Sequence, residues 1–180
     1  ARDYFSYEVS KYAFTKAMNN IYRVSRGSSK KLGSLQILKN FLKNSIKNDK
    51  LLKEYTKRID EELILKHNLL YERTIDYFVK LMDIYCSEGV NANIRLRPEQ
   101  LAKNFKWQKE LKPRQEEFFS AYISYIKELR KIAKEAKDYE DEAGLIREFE
   151  KYVDRLDGFF LNFRFILDFS DDNFIFWLSA

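Results

Sequence analysis

The sequence predicts an all-α fold: a helical bundle of five to seven helices, at least two of them long. Three observations point there. Glycine occurs five times and proline twice in 180 residues, so the chain has few places to turn. Charged residues make up 34%, dominated by Lys and Glu, and such straight-chain residues lose little rotamer freedom in a helix. Apolar residues recur at three- and four-residue spacing, while no run alternates cleanly with period two. The length suits a single helical domain over residues 1–180. The absent initiator Met and the abrupt end at Ala180 are what a fragment of a longer chain would show.

The first helix is expected from Asp3 to Val24, on Phe5, Val9, Tyr12, Ala13, Lys16, Ala17 and Ile21. It stops at the loop RGSSKKLGS, residues 26–34. Ser34 is placed to cap the next helix, residues 35–48, because its hydroxyl can accept an orphan backbone N–H. Asp49 either caps a third helix or lies where the second runs straight on. The third, from about Lys50 to Glu88, follows Tyr55, Ile59, Leu63, Leu70, Phe78, Leu81 and Tyr85. At about 1.5 Å per residue it would reach ~55–60 Å, which predicts a break or a rod-like bundle. Gly89 suits its stop. Pro98 suits the first position of a short helix to Leu111, and Pro113 the same position in another. That helix carries Phe118, Phe119, Tyr122, Ile126, Leu129, Ala133 and Ala136 on one face. An acidic corner at Asp138–Asp141 precedes a last long helix, from about Ala143 to Phe169, with Ser170 capping a further short helix or lying inside a continuous one.

The closing stretch, DGFFLNFRFILDFSDDNFIFWLSA, holds seven of the fifteen phenylalanines. Wound as one helix, Asp157, Arg164, Asp168, Asp171 and Asp172 fall within an arc of roughly 100°, and aromatic residues fill most of the rest. Such charges are costly in hydrocarbon, and no run of apolar residues is long enough for a membrane span. The stretch is therefore expected in the core or against a partner, with Phe159, Phe163, Phe169, Phe174, Phe176 and Trp177 as the interface.

Charge is unevenly spread along a chain of net charge +5. Residues 23–58 carry eleven basic and two acidic groups, and residues 138–180 carry four and eleven. Lys39, Lys43, Lys47 and Lys50 fall within an arc of roughly 80° on a helix, with Arg23, Arg26, Lys30 and Lys31 upstream. A second basic stretch sets Lys103, Lys106, Lys109 and Arg114 around Trp107. Basic residues with an interleaved aromatic suit RNA or DNA. The competing expectation is a solvated face neutralised by the acidic C-terminal third. Lysine outnumbering arginine favours that expectation, since arginine is the better phosphate fork.

No catalytic constellation stands out. His67 is the only histidine, and the residues one helical turn away, Leu63, Ile64, Leu70 and Tyr71, are neither metal ligands nor carboxylates. It reads as a core or boundary histidine. Cys86, the only cysteine, cannot form an intrachain disulfide and reads as a small buried hydrophobe. The acidic groups Asp138, Asp141, Glu142 and Asp60, Glu61, Glu62 lack a matched pair of metal-binding motifs and read as surface charge. No phosphate loop, nucleophile elbow or zinc spacing occurs. No metal or cofactor is expected, and the lone cysteine suits a reducing, cytoplasmic setting. The sequence thus suggests a non-enzymatic protein-interaction module, an assembly or regulatory subunit. Its partner would be another protein chain or a second copy of itself. The alternative is a nucleic-acid-binding helical domain using the lysine face.

Overall fold

A computed structural model describes residues 10–23, 32–86, 94–139, 144–168 and 176–178. Among the described residues seven α-helices run in chain order: α1 Lys11–Ile21, α2 Ser34–Ser45, α3 Asp49–Lys57, α4 Ile64–Cys86, α5 Pro98–Lys103, α6 Lys112–Ala136 and α7 Leu145–Asp168. Two short strands, β1 Ile94–Leu96 and β2 Phe176–Leu178, pair antiparallel. Helices α1, α4, α6 and α7 form a ring in which each packs on two neighbours, and α2 packs on α1 and α7.

Local chemistry accounts for the helix ends. Ser10 caps α1, its hydroxyl accepting from the Ala13 N–H at 3.1 Å, so the helix starts later than Asp3 in the described residues. Residues 1–9, including Phe5 and Val9, lie outside them. Ser34 is not the cap of α2; Gly33 is. Close approach explains the shift: a Cβ on Gly33 would lie 2.5 Å from the Ile21 carbonyl oxygen. Asn48, not Asp49, caps α3, its side-chain oxygen accepting from the Leu51 N–H at 3.1 Å.

The expected long third helix is real, and of the two outcomes its length suggested it takes the rod and not the break. A π-helical turn, Arg58–Leu63, joins α3 to α4 without breaking the rod. A second, Trp107–Leu111, leads into α6. Pro113 is the second residue of α6, so it does not open an isolated helix. Pro113 lacks an N–H and its ring crowds the carbonyl four residues back. The wider turn before it, in which the Lys112 N–H reaches the Trp107 carbonyl, gives that ring room. Pro98 does open α5. Gly89 and Ser170 lie outside the described residues.

The long helices pack through heptad seams. Buried positions on the α4 rod are Leu63, His67, Leu70, Thr74, Tyr77, Leu81 and Ile84. On α7 they are Ile146, Phe149, Val153, Leu156, Phe160, Phe163 and Leu167. Both alternate three- and four-residue steps, the spacing of a supercoiled seam. Helix α6 repeats it from Leu111 to Ala136, with Gln115 half-buried in the series. Along one flank α4 and α6 are zipped antiparallel. Arg58 meets Glu128 at 3.1 Å and Glu135 at 2.6 Å, Lys66 meets Ser124 at 2.9 Å, and Arg73 meets Glu117 at 2.8 Å. Asp76 accepts from Arg114 at 3.0 Å, and Lys80 pairs with Glu110. Exposed pairs add little stability each, but their order fits one register only.

At the centre, each helix of the ring contributes aromatic rings to one cluster. Phe118 of α6 lies 5.4 Å from Phe14 of α1, 5.8 Å from Tyr77 of α4 and 5.7 Å from Phe163 of α7, centroid to centroid. Tyr122 stacks on Phe160 at 3.7 Å. Its hydroxyl donates to Asp157 at 3.0 Å, and Arg130 donates to the other oxygen of that carboxylate at 2.6 Å. This lets a tyrosine sit in an apolar seam with its polar end satisfied.

The C-terminal stretch is not one helix. Helix α7 ends at Asp168, and the aromatic run Phe176–Leu178 is extended, in register with Leu96–Ile94. Aromatic residues are good strand formers, and the cross-strand pairing supplies the backbone bonds a helix would otherwise give. This ribbon leaves the all-α class intact. Among the described residues, no helix is long and apolar enough to cross a membrane.

Candidate functional site

The basic residues singled out from sequence divide in the fold. Lys39 does not project freely: its ammonium is 2.6 Å from both oxygens of Asp60. Lys43 is on α2, Lys47 follows its end, and Lys50 is on α3, all exposed. The four lysines therefore do not line one helix but straddle the α2–α3 corner, because the chain turns at Ile46–Asn48. Arg23 is exposed just after α1, while Arg26, Lys30 and Lys31 lie outside the described residues. Lys106 is exposed, but Trp107 is buried at 6% exposure, so its faces are not offered to a base. The exposed aromatic beside it is Phe105.

The aromatic residues divide too. Phe163 is buried in the central cluster and Phe159 is half-buried, so α7 turns its aromatic seam inward. Phe169 and Phe174 lie outside the described residues, and only the backbone of Phe176 and Trp177 is described.

His67 is a core residue, 3% exposed, with Nδ1 3.1 Å from the Tyr125 hydroxyl and the Tyr22 ring edge-on at 5.2 Å. Burial holds its pKa down at about 4 and pushes the Tyr125 phenol well above its ordinary value. Cys86 ends the same helix, and its side chain lies outside the described part. Of the acidic groups, Asp60 holds Lys39, Glu61 lies 3.8 Å from Lys57, and Asp138 is exposed; Asp141 and Glu142 lie outside the described residues. Among the described residues, no group of three or more His, Cys, Asp or Glu could hold a metal ion.

A different place gathers chemistry. A cleft of about 680 Å³ opens where α1, the start of α2 and α7 meet. Tyr12, Thr15, Lys16, Asn19, Asn20 and Arg23 form one wall. Leu32, Ser34 and Ile37 form the second, and Tyr152 comes from α7. Tyr12 is 72% exposed, Leu32 46% and Ile37 41%, an unusual convergence of large apolar side chains on one open surface. Lys16 lies over the Tyr12 ring, 5.8 Å from its centroid. Among the described residues, two cationic side chains line the cleft and no carboxylate does.

The cleft is held in shape from below. Gln36 is the clasp: its side-chain oxygen accepts from the Gly33 N–H at 2.7 Å, and its amide donates to the Arg23 carbonyl at 3.2 Å. The end of α1 and the start of α2 are thus tied to one side chain. The close approach at Gly33 sets how near they lie. Beneath, the Ser34 side chain is buried, and its hydroxyl has no hydrogen-bond partner among the described residues.

Sequence reasoning named Arg23 for anion binding but not the cleft. Its other walls are ordinary polar and apolar residues from three segments, and no local spacing joins them. One signal was present: Tyr12, Lys16 and Asn19 recur at three- and four-residue steps on α1, with Arg23 just past its end.

No family model, curated protein or solved structure matches this chain.

Proposed function

We propose that this chain is a non-enzymatic helical interaction module, an assembly or regulatory subunit that receives another polypeptide in the cleft between α1, α2 and α7. The observation that carries this reading is the convergence of exposed Tyr12, Leu32 and Ile37 on one concave, cation-rimmed surface. Aromatic and aliphatic anchors in a concavity, ringed by polar groups, are how partner surfaces concentrate binding energy. Burial of the single histidine against Tyr125, where it is held neutral, supports the non-enzymatic half.

The test is differential. The protein is immobilised and exposed to an extract of the cells that make it. The pair Tyr12→Ala and Ile37→Ala should lose a polypeptide that the wild type retains. Leu161→Ala, an exposed apolar residue on α7 outside the cleft lining, should keep it. Equal retention by all three proteins, or none by the wild type, refutes the reading.

One observation favours the nucleic-acid reading. Lys43, Lys47 and Lys50 are exposed at one corner, with no acidic partner among the described residues. Salt-dependent binding to RNA or DNA whose slope flattens in the triple Gln variant would support it, by about 0.7–0.9 for each phosphate no longer neutralised. An unchanged slope removes these lysines.

A further inference from the structure

Resting on the interaction reading, we propose that the group the partner places in this cleft is a phosphate monoester on an aromatic ring. Five features of the cleft point to that chemistry together. Lys16 and Arg23 line it with no carboxylate in the lining among the described residues, which suits an anion of more than one charge. It opens over the start of α2, a twelve-residue helix in which the Gln36 and Ile37 N–H groups bond the Gly33 carbonyl and those of Ser34 and Leu35 have no acceptor within the helix. Ser34, at that start, is 6% exposed and carries a hydroxyl with no partner among the described residues. A buried, unmatched donor is a standing loss in the free protein, and an oxyanion would remove it. The Asn19 and Asn20 amides add donors on the facing wall. Beside these polar groups stand Tyr12, Tyr152 and Ile37, surfaces on which a ring can lie.

A phosphate monoester matches this set better than a carboxylate does. It carries up to two negative charges and three acceptor oxygens, against one charge and two oxygens. Arginine and lysine fit that demand in complementary ways, arginine as a planar fork and lysine as a point charge. Gln36 holds Arg23 by its backbone, so the root of the fork is fixed before any ligand arrives.

The experiment follows backbone amide signals of the full chain by NMR while phenyl phosphate is added. Shifts should saturate and concentrate at Asn19–Arg23 and Ser34–Ile37. Benzoate, which has the ring and a single charge, should bind more weakly. Inorganic phosphate, which lacks the ring, should also bind more weakly. Lys16→Gln combined with Arg23→Gln should weaken phenyl phosphate about tenfold or more. Both residues are exposed, so this pair leaves the fold intact. Ser34→Ala separates binding from folding: it should weaken phenyl phosphate while leaving thermal stability unchanged or raised. A short peptide carrying phosphotyrosine should bind at least as tightly as phenyl phosphate, and its unphosphorylated form should not compete. Absence of saturable shifts, shifts centred elsewhere, equal binding of benzoate, or indifference to the Lys16 and Arg23 changes overturns the proposal. Loss of partner by the Tyr12 and Ile37 variants without any phenyl phosphate response leaves the cleft a partner surface and removes only its phosphate ligand.

Discussion

Lowering the pH should destabilise this protein through His67. The imidazole is 3% exposed and flanked by Tyr22 and Tyr125, with no carboxylate bonded to it among the described residues. Burial lowers its pKa from 6.5 to about 4. In the unfolded chain the ring titrates near its ordinary value, so between these two pKa values the unfolded state binds a proton that the folded state refuses. Stability must then rise with pH through that window. The His67 contribution is intact above about pH 7, falls as pH drops through 6.5, and levels off below about 4. At pH 5 the loss works out at about 2 kcal/mol. Urea unfolding followed by far-UV circular dichroism at a series of pH values reads it directly. Carboxylates titrate near the lower end of the range, so the useful quantity is the difference between wild type and His67→Gln. Glutamine keeps a hydrogen-bonding group for Tyr125 and cannot take up the proton. The stability of wild type relative to the variant should fall by about 2 kcal/mol from pH 7.5 to pH 5. Parallel curves would refute the reasoning, because they would mean that folding leaves the His67 proton affinity unchanged.

Other perturbations follow from the packing. Phe118→Ala removes the ring that touches Phe14, Tyr77 and Phe163, and should cost about 3–5 kcal/mol in urea unfolding. Gly33→Ala drives a methyl against the Ile21 carbonyl, a backbone atom that cannot rotate away; about 1–3 kcal/mol is expected, with amide shifts at both Ile21 and Gln36. Arg58→Met keeps the buried stem but leaves Glu128 and Glu135 without their shared cation, and should cost about 1–2 kcal/mol, less in high salt. A loss independent of salt would assign the role of Arg58 to its stem.

The sequence by itself determined the class of object. Scarce Gly and Pro, straight-chain charged residues and three- and four-residue apolar spacing are local signals, and a helix answers to local signals. The ends of α6 and α7, the Pro98 start of α5 and the rod-like length of the helix from α3 through α4 were legible on that ground. The heptad seams were half-legible. In α4 the polar residues His67 and Thr74 occupy seam positions, and in α6 Gln115 does, so the apolar series looked irregular where the structure is regular. Only the partner helix shows why a histidine belongs there: Tyr125, fifty-eight positions away, bonds to it. The tertiary structure alone decided the rest. Ser34 and Gly33 are both plausible caps, and the approach of α1 to within a methyl's reach selected glycine. Lys39 is indistinguishable from Lys43 in sequence, yet Asp60 claims one and leaves the other in water. Phe176–Leu178 became a strand because Ile94–Leu96 was there to pair with it. The cleft assembles Arg23, Ser34 and Tyr152 from three segments. Such a site depends on distances between segments, which chain connectivity constrains only through the completed fold.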